Sequence, residues 1–322
     1  MARILTITLN PALDLNVELT RMQPGAVNRA TEARLVPAGK GINVARVLRR
    51  LGHRVTVSGL LGEDNPGAFE QLFIDEELED RFVRVPGQTR TNIKLADANG
   101  QVTEINGPGF EVPTGIRQRL EQQIAPLLTD CDALIVAGSL PPGLAAEAVA
   151  DLVALAHQAG KPAWLDASGD ALAHGLTAVP DGVKPNLEEL SGWAGHRLAN
   201  DEAIATAIGR LHDAGVRQAV VSRGGNGVLW CSPTYSRAAI PPEVPVANTV
   251  CAGDTLLAGM VHGLLATPEQ PDQVLRYATA LSAECVRHVG VGDPAAADFQ
   301  SLFDQTRITP WPGKNNNGEI PS

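Results

Sequence analysis

Only four cysteines occur in 322 residues, Cys131, Cys231, Cys251 and Cys285, and they are far apart with no CxxC pair. Neither a zinc knuckle nor a disulfide framework is expected from that spacing, and a reducing cytosol suits it best. No run approaches the ~18 uninterrupted apolar residues of a membrane-spanning helix. The alternating start, Ile4 to Leu9, lacks the charged opening and small-residue cleavage site of a secretory signal, so a cytoplasmic location is expected. Positive charge is scarce as well: 26 Lys and Arg against 36 Asp and Glu leave a net charge of −10. Such a field repels nucleic acid and anionic lipid, and neither is an expected partner. Also missing are the GxxxxGK[ST] phosphate loop, a GxGxxG after a strand, a GxSxG elbow and a His pair at zinc spacing.

What is present is ordinary globular material, 44% hydrophobic and 19% charged, enough for one large core or two modest ones. Glycine (32) and proline (23) predict many sharp turns without reaching low complexity. From about residue 40 short β-rich runs alternate with helical periodicity. Val44, Val47, Leu48 and Leu51 fall at i, i+3, i+4 and i+7 of a helix closed by Gly52, and a strand over 54–61 follows. The unit recurs as strand 132–137, helix 145–158 and strand 162–166, then as helix 201–213 and strand 218–222. These are βαβ crossovers, and a mostly parallel sheet in an α/β fold is expected. Segments 13–35 and 89–106 lack helical patterning. The second contains Asn99-Gly100 between alternating runs, a hairpin signal. Both are read as a small separate β-sheet, a cover for a site or a dimer surface. Residues 313–322 are polar and are expected to fray.

Two glycine-rich segments stand before predicted helices. Residues 248–255 (NTVCAGDT) precede a helix expected over 256–265, where small residues leave the first N–H groups free to bind an anion. Asp254 at that start is either a cap or a catalytic carboxylate. Residues 38–45 (AGKGINVA) place Lys40 inside a glycine turn. Lys40 is either an exposed cation or a sugar or phosphate contact, and the chain has only five lysines, of which Lys40, Lys94 and Lys184 fall in candidate motifs. Asn186 and Glu189 are spaced as a capping box, a reading compatible with any further role.

Six segments in order carry a family resemblance: Asn10-Pro11-Ala12-Leu13-Asp14, Ala38-Gly39-Lys40-Gly41-Ile42-Asn43-Val44-Ala45, Thr89-Arg90-Thr91-Asn92, Gly138-Ser139-Leu140-Pro141-Pro142-Gly143, Lys184-Pro185-Asn186-Leu187-Glu188-Glu189, and residues 249–254. Together, from about residue 2 to 292, the chain resembles the PfkB (ribokinase-like) carbohydrate kinases, and most of all the bacterial kinases of fructose 1-phosphate. The resemblance implies a three-layer α/β/α sandwich with a β-sheet lid, a single kinase domain over 1–312, and a homodimer formed through the lid. It also implies ATP and Mg²⁺ as cofactors, and phosphorylation of fructose 1-phosphate at its C6 hydroxyl to give fructose 1,6-bisphosphate. Near alternatives are kinases of fructose 6-phosphate or tagatose 6-phosphate. A sugar-phosphate sensor that has lost catalysis is the distant one.

Carried over by position, the resemblance makes Asp254 the base, with the N–H groups of Cys251, Ala252 and Gly253 as the anion hole. Asp14, Gly39, Asn43, Ser139 and Asp166 become sugar contacts, and Lys40, Arg90 and Asn92 are assigned to the phosphate already on the substrate. Lys184, Asn186, Ser222, Gly224, Gly227 and Thr249 fall on the nucleotide side, with Ala283 and Val286 near the adenine, while Asn186 and Glu189 order magnesium through water. Cys251 departs from the glycine usual in the family. At positive φ its β-carbon costs ~1–2 kcal/mol, and its place at a helix start predicts a thiolate that alkylates first among the four and is protected by nucleotide.

Overall fold

The protein is described by a computed structural model that covers residues 1–98 and 102–311. The expected Asn99-Gly100 turn and the tail 313–322 lie outside the described residues. The strands are β1 (Arg3–Thr8), β2 (Ala12–Leu19), β3 (Ala30–Ala38), β4 (Arg54–Gly62), β5 (Glu79–Val85), β6 (Arg90–Asp97), β7 (Val102–Asn106), β8 (Ala133–Ala137), β9 (Ala163–Asp166), β10 (Gly182–Val183), β11 (Gln218–Ser222), β12 (Val228–Ser232), β13 (Tyr235–Ile240) and β14 (Arg307–Pro310). The helices are α1 (Lys40–Arg50), α2 (Gly67–Asp75), α3 (Ile116–Thr129), α4 (Glu147–Gln158), α5 (Gly169–Thr177), α6 (Leu187–Ala194), α7 (Asp201–Asp213), α8 (Ala252–Ala266), α9 (Pro271–Cys285) and α10 (Phe299–Gln305).

Ten strands form one sheet in the order β14-β13-β12-β11-β10-β9-β8-β1-β4-β5. From β11 to β5 every pairing is parallel, as the crossovers require, whereas β11 to β14 are joined antiparallel. The parallel strands are buried on both faces. In β1, β8 and β11, Leu5, Ile7, Leu134, Val136 and Val221 join one core, and Ile4, Ile135 and Val220 join the other. The first core is closed by α3, α4, α5 and α7 through Leu120, Leu152, Leu172 and Ile208. The second is closed by α1, α2, α8 and α9 through Leu48, Phe73, Leu257 and Leu275. Helices on both faces of a mostly parallel sheet make the three-layer α/β/α sandwich. Among the described residues no helix is long and apolar enough to cross a membrane.

The two helix-free segments pair into a second sheet, ordered β3-β2-β6-β7. Residue alternation gives it two unlike faces. In the paired rows, Asp14 stands beside Asn92 on one face, while Leu15 lines up with Leu35 and Ile93, and Ile93 with Ile105, on the other. Leu35 and Ile105 are exposed.

Helix α8 begins at Ala252, four residues before the expected Leu256, because Cys251 turns the chain at φ 69° and lets Ala252 and Gly253 form the first turn. First-turn residues need no acceptor within the helix, so a glycine-rich stretch that reads as loop is helical here.

Candidate active site

A cleft of 740 Å³ opens between the carboxyl ends of β9, β10 and β11 and the Asp14–Asn92 face of the small sheet. Ligands of open α/β sheets bind at this end of the strands. Every residue proposed from the sequence lines the cleft except Ser139. Ser139 instead accepts a hydrogen bond from Asn10 Nδ2 at 3.1 Å, and the same amide reaches the Leu140 carbonyl at 3.0 Å. Here Ser139 braces the loop.

Helix α1 enters the cleft because its first turn is pressed onto the end of β1. A β-carbon on Gly41 would lie 2.5 Å from Thr8 Oγ1 and 2.7 Å from the Ile7 carbonyl, so only glycine fits. That contact delivers Lys40 to two carboxylates, Asp166 Oδ1 at 2.9 Å and Glu189 Oε1 at 3.2 Å. On the other side, Lys184 Nζ lies 2.9 Å from Asp166 Oδ2. Asp166, expected as a sugar contact, lines the cleft, is 1% exposed and has a lysine on each oxygen, so it is the centre of an ion-pair bridge. Burial alone would raise its pKa, but the ammonium groups of Lys184 and Lys40 hold it below the usual carboxylate range. Burial works against the charge on Lys40 too, and Asp166, Glu189 and Asp254 more than offset it, so Lys40 stays cationic.

Asp254 is in the first turn of α8, is 6% exposed, and accepts a hydrogen bond at 2.8 Å from Asn43 Nδ2. Burial, and then the negative charge of Asp166, push its pKa up to about 6, against the pull of Lys40, Asn43 and Lys184. A carboxylate tuned toward neutrality is a better proton acceptor than an ordinary one. Ahead of it the N–H groups of Cys251, Gly253 and Asp254 meet no acceptor among the described residues, and Ala252 makes one long bond to the Thr249 carbonyl at 3.4 Å. Donors without partners at the positive end of a helix form an anion site.

The thiolate expected at Cys251 is overturned. Burial, with the Asp254 carboxylate next, pushes the thiol well up. Burial also raises Cys131, Cys231 (to about 11) and Cys285 (to about 11). Cys251 has φ 69°, in the region where a β-carbon is penalised.

On the small sheet, Asp14 accepts from Asn92 Nδ2 at 3.0 Å and from Lys94 Nζ at 2.8 Å, across the parallel pairing of β2 with β6. Arg90 enters the cleft at the start of β6, with Nε and Nη2 on the carbonyls of Pro11 (3.3 Å) and Asn10 (3.2 Å). On the opposite wall Asn186 caps α6. Its Oδ1 accepts from Glu189 N at 2.7 Å, and Glu189 Oε2 accepts from Asn186 N at 2.8 Å, so the capping box is real. The bridge from Asn186 to Ser222 brings this cap beside the end of β11. Ser222, Gly224, Gly227, Thr249, Ala283 and Val286 line the same wall.

Two features escape the sequence. Glu243, Val244 and Val246 form part of the mouth, on a proline-flanked run after β13 that has no periodicity to mark it. The Asn43–Asp254 bond joins residues 211 positions apart, and no local signal announces it.

The profile described as "pfkB family carbohydrate kinase" matches residues 8–298. A 1-phosphofructokinase of Vibrio cholerae is 40% identical over 307 residues, covering 95% of this chain and 96% of that one. The 1-phosphofructokinase of Escherichia coli K12 is 41% identical over 309 residues, covering 96% and 99%. Among solved structures, phosphofructokinase-2 of Escherichia coli in complex with fructose-6-phosphate superposes with a TM-score of 0.83 at 27% identity, covering 94% of this chain and 99% of that one.

Proposed function

The chain belongs to the pfkB family of carbohydrate kinases, and from that membership we propose that it transfers the γ-phosphoryl group of ATP to the C6 hydroxyl of fructose 1-phosphate. The products are fructose 1,6-bisphosphate and ADP. The observation that carries the chemistry is Asp254, a buried carboxylate with its pKa near 6 at a helix start whose N–H groups have no partner. The choice of sugar rests on curated relatives named 1-phosphofructokinase, 39–41% identical over most of their length.

Asp254 takes the proton of the C6 hydroxyl as that oxygen attacks the γ-phosphorus; the bond to the β–γ bridging oxygen breaks, and ADP leaves with the electron pair. Phosphoryl transfer asks for positioning and charge neutralisation more than covalent help. The free donors at Cys251 and Gly253 are placed to take up charge on the transferring group. Asp14, braced by Asn92 and Lys94, holds a sugar hydroxyl, and Gly39 lets the sugar approach the backbone. Arg90 and Asn92 face the phosphate already on the sugar. Lys40, expected on the phosphate already carried by the sugar, is tied to Asp166 and Glu189 beside Lys184, a position that favours the phosphate chain of the nucleotide instead. Asn186, Ser222, Gly224, Gly227 and Thr249 form the nucleotide wall, and Ala283 and Val286 the adenine side. Glu189 has one oxygen in the cap and one on Lys40, which suits it to hold Mg²⁺ through water, as this ion prefers. When bound, the ion neutralises phosphate charge.

The apolar row Leu15, Leu35, Ile93 and Ile105 lies on the face of the small sheet opposite Asp14, and a second copy of the chain would cover it, giving a homodimer through the lid. A cytoplasmic location suits a kinase of soluble sugar phosphates.

The test is ADP release with fructose 1-phosphate, fructose 6-phosphate and tagatose 6-phosphate. The highest kcat/KM is expected with fructose 1-phosphate, and a higher value with either 6-phosphate overturns the assignment. Sugar-phosphate binding by calorimetry without ADP release from any of them would establish the sensor reading that Cys251 motivates.

A further inference from the structure

Asn43 stands one turn into α1, 6% exposed, and its backbone N–H donates to Gly39 O at 2.8 Å, which ties it into the first turn. Its side-chain amide crosses to α8 and donates to Asp254 Oδ2 at 2.8 Å. The two helices share one core, where Ile42, Val44 and Val47 of α1 meet Leu256, Leu257 and Met260 of α8. The bond therefore joins two first turns whose relative position is set by close packing and not by flexible loops.

We infer that Asn43 is a positioning residue for the proton acceptor: it engages Asp254 Oδ2 and leaves Oδ1 as the oxygen that takes the proton of the attacking hydroxyl. A carboxylate with one oxygen held presents a single lone-pair direction to the substrate, and a misplacement of about 1 Å in such a group costs about 10²-fold in rate. An amide suits the task in both protonation states. It donates to Oδ2 of the ionised carboxylate, and it goes on donating to the same oxygen, still an acceptor, once Oδ1 carries the proton. The charged and titratable groups facing Asp254 are Lys40 on α1, Asp166 at the end of β9, Lys184 after β10, Cys251 before its own helix and Cys285 on α9. Asn43 itself does not titrate, so its loss alters orientation without altering net charge.

The inference rests on Asp254 being the base, so Asp254→Asn is assayed beside Asn43→Ala and the near-isosteric Asn43→Asp. Kinetics are measured from pH 5 to 9, with ADP affinity by calorimetry as the check on folding. In Asn43→Ala, kcat is expected to fall 10- to 100-fold, the KM for fructose 1-phosphate to change less than threefold, and the acid limb of kcat to move to higher pH, because the ionised form loses a donor. In Asn43→Asp the second carboxyl should move that limb further in the same direction. A raised KM with kcat and the acid limb unchanged in both variants makes Asn43 a sugar ligand only and overturns the inference. Turnover surviving in Asp254→Asn removes the premise itself, an outcome the Asn43 variants cannot imitate.

Discussion

At Asp254 the requirements of catalysis and of folding conflict. Moving a carboxyl from 3.8 to about 6 on folding costs its ionised form about 3 kcal/mol. Because the folded-state value is the higher one, this cost is absent below pH 3.8, where the folded protein keeps its full stability, and that stability is lost as pH rises through about 6. Asp254→Asn at pH 8 should therefore melt several degrees higher in calorimetry while its turnover falls by roughly 10²-fold or more. A lower melting temperature would mean that burial does not penalise the charge. In the wild-type enzyme, log kcat should decline as pH drops through about 6, with a slope near one. Cys251 presents a second residue-scale conflict, a β-carbon at φ 69°. Cys251→Gly should be active and more stable by about 1 kcal/mol, read from urea midpoints, since glycine reaches this conformation without penalty.

The site is built at the scale of elements, where helix starts meet strand ends. Gly41 fixes how closely α1 approaches β1, and Gly41→Ala must move either the helix or the Ile7–Thr8 backbone. A cost of about 1–3 kcal/mol is expected from overpacking, with kcat/KM down more than tenfold because Lys40 and Asn43 ride on that turn; a variant with wild-type kinetics would show that the turn does not position them. Lys184→Met leaves Asp166, at 1% exposure, with Lys40 as its one cation. Breaking a buried ion pair from one side costs about 3–5 kcal/mol, and urea unfolding of this variant measures it. Elements with strong periodicity are legible in the residues: α7 and β11 have the bounds their patterns predict. The start of α8 is not legible, because a first turn is defined by a backbone dihedral at Cys251 that the residue type disfavours. The antiparallel edge β12 to β14 is equally hidden, since β14 reaches β13 from the far end of the chain.

For the whole molecule, the unlike faces of the small sheet set the prediction. One face carries Asp14 and Asn92 into the cleft, and the other leaves Leu35 and Ile105 at least half exposed. Exposed apolar surface of this kind marks an association site. Sedimentation should find a dimer, and Leu35→Lys combined with Ile105→Lys should convert it to a monomer. A monomeric wild-type chain would leave the lid as a cover for the cleft and nothing more.

The residues alone carry whatever is encoded by local order: the βαβ alternation, the two helix-free segments, and motifs that mark Asp254, Lys40, Asp14 and Asn186 as one family's site. They carry these because periodicity and capping are short-range properties, and motif spacing is set along the chain. Partnership is not encoded there. Nothing local to Asp166 announces that Lys40 and Lys184 meet its two oxygens, from 126 positions before it and 18 after it. Cys251 reads as a thiolate until burial and the Asp254 charge push its thiol up. Asn43 has no visible tie to Asp254 until α1 and α8 pack into one core. In each case the deciding quantity is a through-space electrostatic or packing interaction between distant parts of the chain, and only tertiary structure brings those parts together.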